Sequence, residues 1–154
     1  MKPPASAAPD RLTPRPDRPA AVIERMIRSA VPEAGGKGLT IETITARGAV
    51  ARLRFDPSGL RPGGTVSGPV MMTLADAVMY AAVLARAEDG LMAVTSELSI
   101  RFLRRPPPAD LIGHAEIVRY GRRQVVIEVR IFVDDDPEPV ALVVGTYALP
   151  APGG

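Results

Sequence analysis

The chain has no cysteine, no tryptophan and a single histidine among its 154 residues. Without cysteine there is no disulfide, no thiolate nucleophile and no cysteine metal site. One histidine, His114, excludes the usual zinc clusters, which need several nitrogen or sulfur ligands, and no metal is expected. Three tyrosines and three phenylalanines are too few for a base-stacking platform. The net charge is only +2, from 19 basic and 17 acidic residues. Four of the basic residues (Lys2, Arg11, Arg15, Arg18) and two of the acids (Asp10, Asp17) fall in residues 1–20, which leaves fifteen of each sign for the rest. The body is neutral and lacks the basic face that nucleic acid requires.

Long apolar runs are also missing at the start. Residues 1–20 carry six of the 17 prolines and no apolar stretch of the roughly 7–15 residues a secretory leader needs. Residues 1–19 therefore read as a flexible Pro/Arg-rich arm, residues 20–154 as one domain, and the location as cytoplasmic.

What is present changes period along the chain. Val22, Ile23, Met26, Ile27 and Ala30 follow helical spacing, ended by Pro32 and Gly35-Gly36. Leu39–Arg47 and Ala49–Phe55 read as strands with Gly48 between them. Alternation returns at Val94, Ser96, Leu98, Ile100 and Phe102. It continues through Leu111–Tyr120, Gln124–Val133 and Val140–Leu149, with hairpin-sized separators before the last two. Between the two strand sets lies Val70–Ala87, apolar all round and hence expected as a buried helix about 27 Å long. Interrupted at Asp76, it is too short for a convincing membrane span. Helix, two strands, long helix and four strands make an α+β protein with an antiparallel sheet curled around the long helix.

Asp76 is the only charge from Val70 to Leu84. A buried carboxylate needs a partner or a task, so it reads either as an edge aspartate bonded to backbone or as a catalytic group. Just before the helix, Arg61-Pro-Gly-Gly-Thr-Val-Ser-Gly-Pro69 leads glycine-rich chain to a helix start, whose free N–H groups can hold developing negative charge. Gly68 and Asp76 are separated by about 12 Å along one helix. They cannot reach one carbonyl within a subunit. A twofold dimer with antiparallel helices brings Gly68 of one copy beside Asp76 of the other. A long alternating strand such as Val94–Phe102, if at a sheet edge, also calls for a covering chain.

Gly64-Thr-Val-Ser-Gly-Pro-Val-Met-Met-Thr-Leu-Ala-Asp76, Ala93–Arg104 and Tyr120-Gly-Arg-Arg-Gln-Val-Val-Ile127 resemble the corresponding segments of hotdog-fold acyl-CoA thioesterases of the phenylacetate-degradation (PaaI) type. The likeness covers roughly residues 38–149. That family reads His-Gly-Gly where this chain has Ser67-Gly68-Pro69, and asparagine where it has Arg61. The resemblance implies a hotdog fold and a homodimer, or a tetramer built from it. It implies Gly68 as oxyanion donor, Asp76 as general base or nucleophile, and Thr95 on the water side. Ser67, Arg61 and Pro69 would border the thioester. Arg104, Arg105, Arg122 and Arg123 would meet the coenzyme A phosphates. Coenzyme A is then part of the substrate, with no separate cofactor, and Met71, Met72, Met79, Tyr80 and Val83 or their neighbours would line the acyl tunnel. The alternative is a non-catalytic hotdog protein that binds an acyl thioester or a partner. A dehydratase is disfavoured, because no histidine stands ready to work with Asp76.

Overall fold

The computed structural model describes residues 10–33 and 38–152. Helix α1 (Ala20–Ala30) is followed by strands β1 (Leu39–Ile44) and β2 (Gly48–Leu53). A small hairpin, β3 (Leu60–Arg61) and β4 (Thr65–Val66), leads into helix α2 (Gly68–Leu84). Strands β5 (Val94–Phe102), β6 (Leu111–Tyr120), β7 (Gln124–Val133) and β8 (Ala141–Ala148) complete the chain. The six longer strands form one antiparallel sheet in the order β1-β2-β6-β7-β8-β5. Wrapped on α2, this is the α+β hotdog arrangement expected from the sequence.

Every second residue of β7 and β8, and of β6 as far as Ile117, is buried, including Leu111, Ile117, Ile127, Ile131 and Val143. Helix α1 buries Ile23 and Ile27 and lies against β1 and α2. Pro32 follows its end as expected; the companion stop signal, Gly35-Gly36, lies outside the described residues.

The central helix begins two residues earlier and ends three residues earlier than its hydropathy suggests. Gly68 and Pro69 already have helical geometry, because Pro69 needs no N–H partner in a first turn. Burial is complete only in the second half. Ala77–Leu84 are all buried, whereas Pro69, Met72 and Thr73 are exposed and Asp76 is half-buried. The first half therefore leaves one stripe of the helix uncovered by its own sheet.

The far end of α2 bonds to part of the segment read as an arm. Residues 1–9 lie outside the described ones, but residues 10–19 are attached. Arg15 N–H donates to Ala85 O at 2.8 Å. The Arg18 guanidinium donates to Leu84 O, Ala87 O and Glu88 O at 2.7, 2.6 and 3.0 Å. Arg86 is 7% exposed and donates to Leu12 O, Thr45 O, Ala82 O and Gly48 O at 2.6, 2.7, 3.1 and 3.3 Å. Burial lowers its pKa from the ordinary guanidinium value. The last carbonyls of a helix have no intrahelical partners and carry partial negative charge, so two arginines suit this end.

Candidate active site

Asp76 projects from the uncovered stripe of α2 toward the edge of the sheet made by β8 and β5. Its Oδ1 accepts two hydrogen bonds, from Thr95 Oγ1 and from Tyr147 Oη, each at 2.7 Å. Oδ2 has no hydrogen-bond or ionic partner among the described residues. One carboxylate oxygen is thus saturated by hydroxyls while the other keeps its lone pairs free. Of the two readings of Asp76, the backbone-bonded edge aspartate does not describe this side chain.

Thr95 reaches Asp76 because β5 is bulged. Thr95 pairs with Tyr147 and Glu97 with Thr146, so Ser96 is an extra residue on β5. Beyond the bulge Leu98 pairs with Gly145 and Ile100 with Val143. Directly opposed residues share a face, so Thr95 lies on the same face as Leu98 and Ile100. Strict alternation from Val94 to Phe102 would have turned it outward. Bulges next to active sites commonly re-aim a side chain in this way.

At the start of α2, the N–H groups of Gly68 and Val70 have no partner among the described residues, and Pro69 has none to offer. Ser67 sits at the cap position, but its hydroxyl makes no capping bond; its N–H donates to Gly59 O at 2.9 Å. The approach is fixed by the β3–β4 turn. Gly63 and Gly64 have φ of +99° and +76°, a region that favours glycine. A methyl group on Gly68 would lie 3.0 Å from Phe102 Cζ, so the ring of β5 closes tightly on the helix start. Arg61 is exposed on β3.

The four arginines fall into two groups. Arg104 and Arg105 follow β5 near the β7–β8 turn, whereas Arg122 and Arg123 occupy the β6–β7 turn. These turns cap opposite ends of β7, a ten-residue strand spanning about 33 Å. One subunit therefore does not bring the two pairs together. Arg104 is engaged: it donates to Asp136 Oδ2 at 3.0 Å and to the carbonyl oxygen of Glu138. Asp136 is held below the usual carboxylate range by the Glu138 N–H first and Arg104 second. The side chains of Arg105, Arg122 and Arg123 are exposed and have no partner among the described residues.

Tyr147 was not legible as a site residue. It occupies a core-facing position of β8, where an aromatic needs no further reason, and only the fold puts its hydroxyl on Asp76. Burial raises its pKa well above the ordinary phenol value, and the Asp76 carboxylate adds to the rise. His114 stands on the outer face of β6, packed edge-on against Phe132 with ring centroids 5.3 Å apart, away from Asp76.

Met71, Met79, Tyr80 and Val83 are buried in the core of the chain; Met72 alone of that set is exposed. Met79 fills the space over Gly145, where an added Cβ would lie 2.5 Å from its sulfur. A cavity of about 150 Å³ lies elsewhere along α2, walled by Leu53, Phe55, Val66, Val70 and Leu111, with Thr73 contributing a hydroxyl. Val66 and Val70 stand two residues before and after Gly68 in the chain, while Gly68 itself does not line this space.

A family model for the thioesterase superfamily matches residues 63–140, about half of the chain, including α2 and β5 but neither β3 nor β8. The crystal structure of a thioesterase candidate from Silicibacter sp. TM1040 superposes with a TM-score of 0.77 at 34% identity, over 86% of this chain and 92% of that one. A thioesterase candidate related to phenylacetic acid degradation, from Ralstonia eutropha JMP134, gives 0.72 at 25% identity over 80% of this chain and 98% of that one. A Haemophilus influenzae thioesterase shares the fold, with a TM-score of 0.72 at 18% identity over 84% and 88% of the two chains. No curated protein matches the sequence. Among the described residues no helix is long and apolar enough to cross a membrane. With the match over residues 63–140 and a relative 34% identical across most of both chains, this chain belongs to the thioesterase superfamily, whose general chemistry is thioester hydrolysis.

Proposed function

We propose that the protein is an acyl-CoA thioesterase of the PaaI type, working at two sites shared across a twofold dimer. The observation that carries this reading is the Asp76 carboxylate, with Oδ1 held by two hydroxyls and Oδ2 unpaired in the uncovered stripe of α2. In this scheme the Gly68 N–H of one subunit holds the thioester oxygen and Asp76 of the other supplies the base. Water attacks the carbonyl carbon as Asp76 Oδ2 takes its proton, and the C=O electron pair moves onto the oxygen held by Gly68. The tetrahedral intermediate then collapses and the C–S bond breaks. The Asp76 carboxyl returns its proton to the departing thiolate. Direct attack by Oδ2, with loss of thiolate and hydrolysis of the resulting anhydride, uses the same atoms.

The dimer is supported by β5. It ends the sheet, paired only with β8, and presents unpaired backbone on its free side. Along the same edge Met72, Leu91, Met92, Val94 and Phe102 are exposed apolar side chains. Antiparallel pairing of two copies would bring the unpaired Arg105 of one near Arg122 and Arg123 of the other. Bidentate guanidinium groups would there meet the coenzyme A phosphates. Arg104, tied to the acidic turn, would shape that turn. Ser67, Pro69 and Arg61 would border the thioester, and Thr95 would hold Asp76. Sedimentation at micromolar concentration is expected to show a dimer or a multiple of it; a monomer would remove the shared site.

The largely apolar cavity along the first half of α2 supports a compact acyl group, since a space of roughly 150 Å³ is about the size that takes one benzene ring. Free-thiol release across short, medium, long-chain and aryl acyl-CoA esters is therefore expected to be fastest for acyl groups up to about that size. Binding of these esters without thiol release from any of them would replace the enzyme by a binding module.

A further inference from the structure

The two hydroxyls on Asp76 Oδ1 are equally short but differently placed. Thr95 is exposed on the edge strand, where water competes for both partners. Tyr147 is 2% exposed, and its ring stacks on Tyr80 with centroids 5.7 Å apart and planes 9° from parallel. The Tyr80 hydroxyl is itself tied, donating to Leu91 O at 3.1 Å. Tyr147 therefore cannot swing away without disturbing a stacked pair, and its oxygen also lies 3.2 Å from the Asp76 carbonyl oxygen.

We propose that Tyr147 is a positioning residue for thioester hydrolysis: it pins Asp76 Oδ1, so that Oδ2 is the oxygen that takes the proton or attacks. This rests on the thioesterase reading above. A carboxylate with one oxygen bonded to two fixed donors cannot rotate about Cβ–Cγ without breaking both bonds. Free rotation would exchange the two oxygens and blur the reacting geometry, to which rates are sensitive. The bulge at Ser96 supports the assignment, because it sets Thr95 opposite Tyr147 so that both hydroxyls meet on one oxygen. Burial keeps the phenol protonated at working pH, a donor that does not switch off. Tyr80 offers the contrast, with an equivalent ring and a hydroxyl aimed elsewhere.

The experiment measures the melting temperature, and kcat and KM with the acyl-CoA ester that the wild type turns over fastest. Tyr147→Phe keeps the stack and removes the donor. We expect kcat to fall about 10- to 100-fold, the range for losing a hydrogen bond to a charged group, with KM little changed. A merely structural role would instead lower the melting temperature and raise KM while leaving the turnover of the folded protein in place. Incorporating 3-fluorotyrosine at position 147 retains ring, hydroxyl and donor. It should preserve kcat, a readout that stands even if Tyr147→Phe fails to fold. Unchanged kcat in Tyr147→Phe, or a folded 3-fluorotyrosine protein that has lost turnover, overturns the positioning role while leaving the thioesterase reading intact. A wild type inactive on every ester overturns both.

Discussion

Asp76→Asn is expected to lower acyl-CoA hydrolysis by at least about 10²- to 10⁴-fold, the usual contribution of a positioned general base. If Oδ2 attacks the thioester directly, activity should vanish into the background. The substitution is nearly isosteric, and the asparagine Oδ1 can still accept from both Thr95 and Tyr147 at their present positions. Its Nδ2 replaces the unpaired oxygen and cannot take a proton from water at neutral pH. Folding should therefore persist, and the melting temperature should hold or rise as a half-buried charge is removed. Binding of a substrate ester, measured by calorimetry, should be retained. Steady thiol release by the wild type, matched by Asp76→Asn, would show that another group carries the chemistry.

The second large effect concerns stability and lies at the other end of α2. Arg86→Leu removes four hydrogen bonds to carbonyls from Leu12, Thr45, Gly48 and α2 itself. Bonds from a charged donor are worth about 1.5–3 kcal/mol each and do not add fully, while each orphaned buried acceptor costs about 1–3 kcal/mol. A net loss of about 3 kcal/mol is expected, lowering the melting temperature by about 6–12 °C in a chain of this size. Arg86→Lys should recover less than half of that, since one ammonium cannot reach carbonyls on three separate segments. Arg25→Leu, on the exposed face of α1, should stay within about 0.5 kcal/mol of wild type. Turnover per folded molecule should be unchanged in all three, because Arg86 is ten residues and about 15 Å along the helix from Asp76. Thermal melts by circular dichroism decide the matter. An Arg86→Leu protein that melts with the wild type would mean that water replaces the guanidinium at no cost.

These two residues mark how far the sequence could be read. Asp76 was legible because a lone charge in a fifteen-residue apolar run is conspicuous on composition alone. Arg86 was not, because an arginine at a helix end looks like a solvated charge until the chain from Leu12 to Thr45 is folded over it. Arg18 was hidden in the same way inside a proline-rich segment that reads as loose. The strand set was legible from its period, yet period also misled. The alternation from Val94 to Phe102 passes unbroken through Ser96, and no residue type there announces the bulge that turns Thr95 inward. Arg104 shows the converse, a residue whose charge suggested phosphate and whose neighbours Asp136 and Glu138 already occupy it. Tyr147 carries two meanings at once, since its ring satisfies the core pattern and hides the task of its hydroxyl.

The strand order has a consequence for how the molecule is made. Strand β5 pairs with β8 and with no other strand of the sheet, and Tyr147 lies 71 residues after the carboxylate it holds. As the chain leaves the ribosome, Asp76 and Thr95 emerge long before the strand that joins them. Through all of that interval β5 has neither edge covered, while β6 and β7 can already form their hairpin. Closing such a distant pairing is slow compared with local structure, and an uncovered apolar strand is prone to stick to its like. The nascent protein therefore carries an apolar strand uncovered until β8 has emerged. A ribosome stalled before β8 would hold a largely built core with no working site.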